Sequence, residues 1–247
     1  MSQELKLEDI DVDGAVRETA AETMDALDGD TRSRFLRRAG LAGGAVMGGG
    51  AVLGALAPDA FAKGSGFSTG DRPPAMFGKG DIGILNYALV LEYLESTFYN
   101  EAVANQRKHA FIPRHSPNGN VFLRTVHVDE NDHVRKLKGA LGSKAIKKPK
   151  FDFHGDNAHY ERFLNAAFGF ENVGVHAYAG QAFNIKTPAY LAVALSIVTV
   201  EARHAAAVGL IRNGSKYGIT PSGAFDKPQG ASKVLKEVTG LHYITKL

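Results

Sequence analysis

Cysteine is absent from this chain of 247 residues. The protein therefore forms no disulfide, carries no lipid-anchored cysteine and holds no iron–sulfur cluster or rubredoxin-like electron-transfer module. Methionine is also scarce, since Met76 is the only one after residue 62 and lies ahead of the first predicted helix. No predicted helix offers a methionine to a haem, and any bound metal must be held by oxygen and nitrogen ligands.

Basic side chains are nearly absent from residues 1–30. This stretch contains ten acidic residues against Lys6 and Arg17, and its apolar residues follow no regular period. Low apolar content with high net charge is typical of disordered segments. We expect a disordered acidic leader that carries no chemistry.

Residues 31–62 have the order of an export signal. Four arginines precede a Gly- and Ala-rich apolar run that ends in AFA at residues 60–62, a small-x-small cleavage pattern. The stretch TRSRFLR (31–37) resembles a twin-arginine signal with Ser33 in place of the second arginine. A retained membrane anchor is the main alternative, because the apolar run is near spanning length. We expect twin-arginine export to the periplasm, cell wall or medium, cleavage, and no membrane contact afterwards.

The chain after residue 62 is basic. It carries 23 Lys and Arg against 15 Asp and Glu, together with all nine histidines. Many of the lysines lie in RKLKGALGSKAIKKPK, residues 135–150. We favour a solvated connection for this stretch over a polyanion-binding loop. Export argues against a nucleic-acid partner, so cell-wall polyanions are the alternative.

Four long helical patterns follow a Pro-containing linker at residues 63–80. In each pattern apolar residues recur at spacings of three and four, and Gly and Pro clusters separate the patterns. The segments are A (81–106), B (120–141), C (157–183) and D (189–212). Short A–B and C–D connections favour antiparallel neighbours. The sequence predicts an all-α, antiparallel four-helix bundle over residues 81–213.

The connection between segments B and C is longer than the other two. Fully extended, residues 142–156 would span roughly 50 Å, enough to cross the length of a bundle. We expect Phe151 and Phe153 to pin this crossover to the outside of the bundle. The C-terminal tail, 214–247, is expected to cover the bundle with a short amphipathic helix at 231–238.

A carboxylate interrupts the middle of each apolar stripe. Segments B and D each carry a Glu-x-x-His pair, whose members share one face of a helix. Segments A and C each carry a glutamate near the middle of their own apolar face. The predicted metal ligands are Glu92, Glu130, His133, Glu171, Glu201 and His204. Buried without metal, four carboxylates would repel one another and take up protons, whereas a di-iron or di-manganese centre uses this donor set.

Four stretches carry a resemblance to a known family: LNYALVLEYLESTFY, VDENDHVRKL, ENVGVHAYAG and SIVTVEARHAA. Over about residues 80–240 the sequence resembles the ferritin-like superfamily, and within it the desiccation-related and stress-response branch. The resemblance implies a bundle with a long B–C crossover.

Two tyrosines follow predicted glutamate ligands at the same sequence spacing. Tyr99 follows Glu92 by seven residues and Tyr178 follows Glu171 by seven, which suggests that A–B and C–D are related halves. Ferritin-like proteins often carry such a tyrosine after the first helix glutamate. We expect Tyr99 and Tyr178 to bond ligand carboxylates or to supply an electron.

Two further acids accompany the predicted ligands. Glu95 lies near the same stripe as Glu92 and is the alternative ligand on segment A, or a supporting residue. Asp129 resembles the aspartate that orients a histidine in some ferritins, and we expect it to hold His204. Val200 occupies the corresponding place on segment D, so this support is one-sided.

Hard carboxylates with two imidazoles suit iron or manganese better than copper or zinc. With Glu130 and Glu201 as bridges, two such ions would exchange electrons with O2 or peroxide. The sequence thus predicts an exported protein that holds two iron or manganese ions and oxidises Fe(II) or removes peroxide in stress or desiccation protection. The alternative is a non-catalytic protective or envelope protein whose metal site is structural or absent. No feature of the sequence indicates assembly into a cage, and the sequence is compatible with a homo-oligomer.

Overall fold

Helices account for most of the ordered architecture. The computed structural model describes residues 70–214 and 225–246, so the acidic leader and the export signal lie outside the described residues. The helices are α1 (Gly80–His109), α2 (Pro117–Leu141), α3 (Tyr160–Ala182), α4 (Pro188–Asn213) and α5 (Ala231–Gly240). The strands are β1 (Lys150–Phe151) and β2 (Ile244–Lys246), and 3-10 turns occur at Ala75–Phe77, Gly142–Lys144 and Asp156–Ala158. The all-α prediction is confirmed.

Local sequence sets the ends of the long helices. Pro117 and Pro188 occupy first helical positions, where the fixed φ of proline suits a helix and its missing N–H is not needed. Residue 142 and residue 214, which follow α2 and α4, are glycines with φ of 55° and 64°. Glycine adopts this left-handed conformation without steric cost, so each helix ends there. The helix bounds lie within three residues of those of segments A to D.

The helices pack as two antiparallel pairs. Gln106 near the end of α1 donates to Asn120 near the start of α2 at 3.0 Å, and Arg212 of α4 donates to Asn165 of α3 at 2.5 Å. The core divides into two clusters. One is rich in aromatic rings around Phe98 and Phe163, and the other is mostly aliphatic around Leu89. The middle of the bundle, between these clusters, is the level at which the predicted ligands lie.

The crossover from α2 to α3 is held by aromatic packing and by a short β-ladder. Phe153 is 2% exposed and its ring centroid lies 5.2 Å from that of Phe98, as expected of a pinned crossover. In addition, β1 pairs with β2 in antiparallel orientation, and Asp152 N–H donates to Tyr243 O at 2.9 Å. This ladder was not predicted from the sequence, because strands of two and three residues are too short to show a period.

The C-terminal helix covers the α1–α3 side of the bundle. In α5 the buried residues are Ala231, Val234 and Val238, which share one face. This helix contacts α3, while the turn Ala75–Phe77 contacts α1. Phe77, inside the predicted linker, is therefore part of the core.

One helix of the described part of the chain, α4, is long and apolar enough to cross a membrane by length and composition alone. Core helices pass the same test. In this bundle Glu201 and His204 of α4 point toward the protein interior, where both are buried.

We predict that Gly180→Ala destabilises the protein although alanine favours helices. A Cβ at Gly180 would lie 1.8 Å from Gln229 O, so the segment leading into α5 would have to move. We expect the free energy of unfolding to fall by about 1–3 kcal/mol, as measured by urea denaturation.

Gly169→Ala is the matched control on the same helix. A Cβ at Gly169 meets nothing within 4 Å among the described residues. The substitution should therefore raise stability by about 0.5–1 kcal/mol through helix propensity. Equal stabilisation by both substitutions would contradict the close packing of residue 229 against α3.

Candidate metal centre

Each long helix brings a glutamate to the middle of the bundle. These are Glu92 of α1, Glu130 of α2, Glu171 of α3 and Glu201 of α4, and all four are 0% exposed. His133 and His204 join them one helical turn after Glu130 and Glu201, with 8% and 6% exposure. The structure thus brings all six predicted ligands together. His127, one turn before Glu130 on α2, is only half-buried and belongs to no ligand cluster among the described residues.

The six side chains form two overlapping groups. One group contains Glu92, Glu130, His133 and Glu201, and the other contains Glu130, Glu171, Glu201 and His204. Within each group the ligand atoms lie within 4.8 Å of one another. Each group offers three carboxylates and one imidazole, and Glu130 and Glu201 belong to both. The two groups therefore lie next to each other and share two carboxylates.

Both imidazoles direct Nδ1 at the carboxylates. His133 Nδ1 lies 3.0 Å from Glu201 Oε1, and 3.3 Å from both Glu92 Oε2 and Glu130 Oε2. His204 Nδ1 lies 3.0 Å from Glu130 Oε1 and 3.3 Å from Glu171 Oε2. The Nδ1 atoms are therefore the atoms that each ring offers to a cation.

Asp129 contacts His204 as expected. The Asp129 Oδ2 atom lies 3.1 Å from His204 Nε2, and this contact orients the ring so that Nδ1 faces inward. His133 has no such partner among the residues that the structure describes, because Val200 occupies the corresponding position.

Two buried tyrosines hold the glutamates of the opposite half. Tyr99 O–H donates to Glu171 Oε1, and Tyr178 O–H donates to Glu92 Oε1 at 2.5 Å. Because α1 and α3 run antiparallel, the tyrosine of each helix reaches the glutamate of the other. Each bond occupies one carboxylate oxygen and leaves Oε2 of Glu92 and of Glu171 for the centre.

Most of the buried polar atoms that lack hydrogen bonds in the described part of the chain belong to the centre. Within residues 70–214 and 225–246, the atoms without a partner that belong to the centre are Glu92 Oε2, Glu130 Oε1, Glu171 Oε2, both oxygens of Glu201, and His204 Nδ1. Only Tyr87 O–H and Gln229 Oε1 lack partners elsewhere in that part of the chain. Although His204 Nδ1 lies close to Glu130 Oε1, the pair does not have hydrogen-bond geometry. Each such atom costs about 1–3 kcal/mol, so the donor set fits a bound cation.

Burial and mutual repulsion perturb the acid–base chemistry of the centre. Burial raises the pKa of Glu130 to about 7, against the opposing effect of the nearby rings of His133 and His204. Burial, and then the charges of Glu130 and Glu92, raise the pKa of Glu201 well above its ordinary value. Burial alone would lower the pKa of His204, but contacts with Glu130 and Glu171 raise it to about 11. The metal-free centre therefore retains protons at neutral pH.

Glu95 is a fifth buried carboxylate beside the centre, although it belongs to neither group of ligands. Burial, and next the charge of Glu201, raise its pKa well above the ordinary value. A Cβ at Gly174 would lie 3.2 Å from Glu201 Oε2 and 3.5 Å from Glu95 Oε1. Gly174 was not predicted from the sequence, where its only signal is a glycine inside a helical segment, three residues after Glu171.

The four-helix bundle encloses four carboxylates and two imidazoles. It therefore places this chain in the class of helical bundle proteins with a centre compatible with metal binding. A family model described as a ferritin-like domain matches residues 80–213, more than half of the chain. The chain belongs to this family, and the resemblance to the ferritin-like superfamily is confirmed. Membership of the desiccation-related branch stays a prediction. A search of curated proteins returned no match to the chain.

We predict that metal binding releases protons and strengthens as the pH rises. The pKa of His204 is about 11, so its Nδ1 proton is still present at neutral pH and has to leave before a cation binds. If one proton leaves per ion, the affinity for Mn²⁺ should rise about tenfold per pH unit between pH 6 and 8. Calorimetric titration in buffers of different ionisation enthalpy measures both quantities. Affinity independent of pH, with no buffer-dependent heat, would contradict the protonated centre.

Proposed function

We propose that the protein binds two iron or manganese ions in the mid-bundle centre and uses them to oxidise Fe(II) or to remove peroxide. The observation that carries this proposal is the pair of overlapping ligand groups sharing Glu130 and Glu201. These two carboxylates would bridge the ions, with Glu92 and His133 on one ion and Glu171 and His204 on the other. Carboxylate-rich ligation without cysteine favours iron or manganese. When bound, such a pair supplies electron exchange with O2 or peroxide.

The residues around the centre hold the ligands in place and exclude water. Tyr99 and Tyr178 fix one oxygen of Glu171 and Glu92, and Asp129 fixes the ring of His204. Burial raises the pKa of both phenols well above the ordinary value, so each keeps its proton. A neutral phenol next to a ligand carboxylate is positioned to donate a proton and an electron, which is the catalytic role that we propose for both tyrosines.

A structural metal site is the second candidate function. The four carboxylates are 0% exposed, so the centre is enclosed to a degree that also suits an ion that only stabilises the bundle. In that case the protein would protect the cell or its envelope without turnover.

We expect two metal ions per chain in protein produced with iron or manganese, and turnover when Fe(II) is added with O2 or peroxide. The measurements are elemental analysis and the rate of O2 or peroxide consumption. Glu130→Gln/Glu201→Gln removes both shared carboxylate charges at nearly constant volume, and should abolish metal binding and turnover. Less than one ion per chain under either supplement contradicts the site. Two ions with turnover no faster than in the double variant support the structural alternative.

Glu95→Gln is the matched control for a ligand substitution. Glu95 and Glu92 lie on the same helix and both are buried, but only Glu92 belongs to a ligand group. Glu92→Gln should therefore lower the metal content, whereas Glu95→Gln should leave two ions bound. The reverse result would assign the α1 ligand to Glu95.

We further propose that residues 31–62 direct export and are removed, in keeping with a role in stress or desiccation protection. The mass of the chain recovered from the periplasm or medium should correspond to a start at Lys63. Arg32→Lys/Arg34→Lys keeps the charge and should retain the precursor inside the cell if the twin-arginine pathway is used. Unprocessed chain in the membrane fraction would instead support a retained anchor.

A further inference from the structure

A cleft opens between α2 and α4, on the side of the bundle away from α5. Its volume is about 630 Å³, which lies within the range of about 300–1,000 Å³ typical of small-molecule sites. The walls are mainly apolar and include Val121, Phe122 and Val126 of α2 and Leu210 and Ile211 of α4. Val121 and Leu210 are exposed large apolar side chains, at 52% and 38%. The cleft thus offers an apolar surface that the described part of the chain does not cover.

The cleft reaches the metal centre at the two imidazoles. His133 and His204 both line it, and among the six predicted ligands they alone have measurable exposure. A molecule in the cleft would therefore contact the edge of the centre without entering the layer of carboxylates.

His133 presents an unused hydrogen-bond donor to this cleft. Its Nδ1 faces Glu92, Glu130 and Glu201, so Nε2 is the ring nitrogen left for the cleft, and it carries the hydrogen when Nδ1 binds a metal. Within the described ranges no residue accepts a hydrogen bond from His133 Nε2. The corresponding nitrogen of His204 is satisfied by Asp129. Val200, which also lines the cleft, offers no acceptor on its side chain.

The acidic side chains that line the cleft have partners, whereas its guanidinium has none among the described residues. Asp132 pairs with Arg135, and Asp129 pairs with the ring of His204. Arg203 also lines the cleft and makes no ion pair with any described residue. A guanidinium and an imidazole N–H at one cleft suit a carboxylate, because charge-assisted hydrogen bonds to carboxylates are strong and directional.

We propose that the cleft between α2 and α4 binds an apolar organic molecule that carries one carboxylate, with Arg203 and His133 Nε2 donating to the carboxylate oxygens and the hydrocarbon lying between Val121, Phe122 and Leu210. Arg203 and the apolar walls contribute to this site with or without metal, so binding of the carboxylate does not depend on the proposed metal function. A bound carboxylate would cover the exposed edge of His133 and slow exchange of reactants with the centre.

Octanoate is the probe that tests this proposal. Calorimetry on the full-length chain, free of metal and loaded with Mn²⁺, should show octanoate binding in both forms, and octyltrimethylammonium should not bind. In ¹⁵N spectra, octanoate should shift Nε2 of His133 more than Nε2 of His204. Arg203→Gln should weaken octanoate binding about tenfold, the effect of losing one charged hydrogen bond. Arg124→Gln, an exposed α2 residue that does not line the cleft, is the charge control and should change nothing.

A second pair of variants tests the apolar part of the site. Ala207→Phe places a ring in the cleft and should abolish octanoate binding, whereas Ala202→Phe, exposed on the same helix outside the cleft, should not. Equal binding of the anionic and cationic probes, or insensitivity to Arg203→Gln, would overturn the proposal. A dimer that Ala207→Phe dissociates, with no octanoate binding, would assign the cleft to a second copy and overturn it as well.

Discussion

Burial of four carboxylates in one layer is the constraint on which this structure depends. Four negative charges cannot be enclosed without compensation, since desolvation and mutual repulsion both oppose them. The two imidazoles and the two tyrosine hydroxyls supply part of the compensation. Within the described part of the chain, the atoms of the centre that remain without partners are the ones a cation would contact. The long helices, the mid-bundle position and the one-turn Glu-x-x-His spacing all serve to bring these donors to one place.

The rest of the fold protects this layer unequally on its two sides. Aromatic and aliphatic clusters close the bundle toward its two ends. On the α1–α3 side, α5 and the N-terminal turn add a second cover, and the β1–β2 ladder holds the crossover. The α2–α4 side keeps an open cleft that reaches the imidazoles. Access to the centre is thus directed to the histidines, whereas the carboxylates are enclosed.

The two halves of the bundle are similar but not equivalent. The glutamates, tyrosines and histidines match across the centre, and each tyrosine reaches the opposite glutamate. The match fails at Asp129, whose counterpart is Val200, and at Glu95, whose counterpart is Gly174. The first difference leaves Nε2 of His133 without a partner among the described residues, and the second places an extra carboxylic acid on one side. The two groups of ligands therefore differ in their surroundings, although their donor types are the same.

The sequence alone determined the features that arise within single segments. Helical period places Glu130 with His133 and Glu201 with His204 on one face, and proline and glycine mark the helix ends, because both effects act over one or two turns. The grouping of Glu92 rather than Glu95 with the other ligands, the close approach of Glu201 to Gly174, the β1–β2 ladder and the cleft lined by Arg203 required the tertiary structure. Each depends on the distance between segments far apart in the chain, and that distance is decided by how the helices pack.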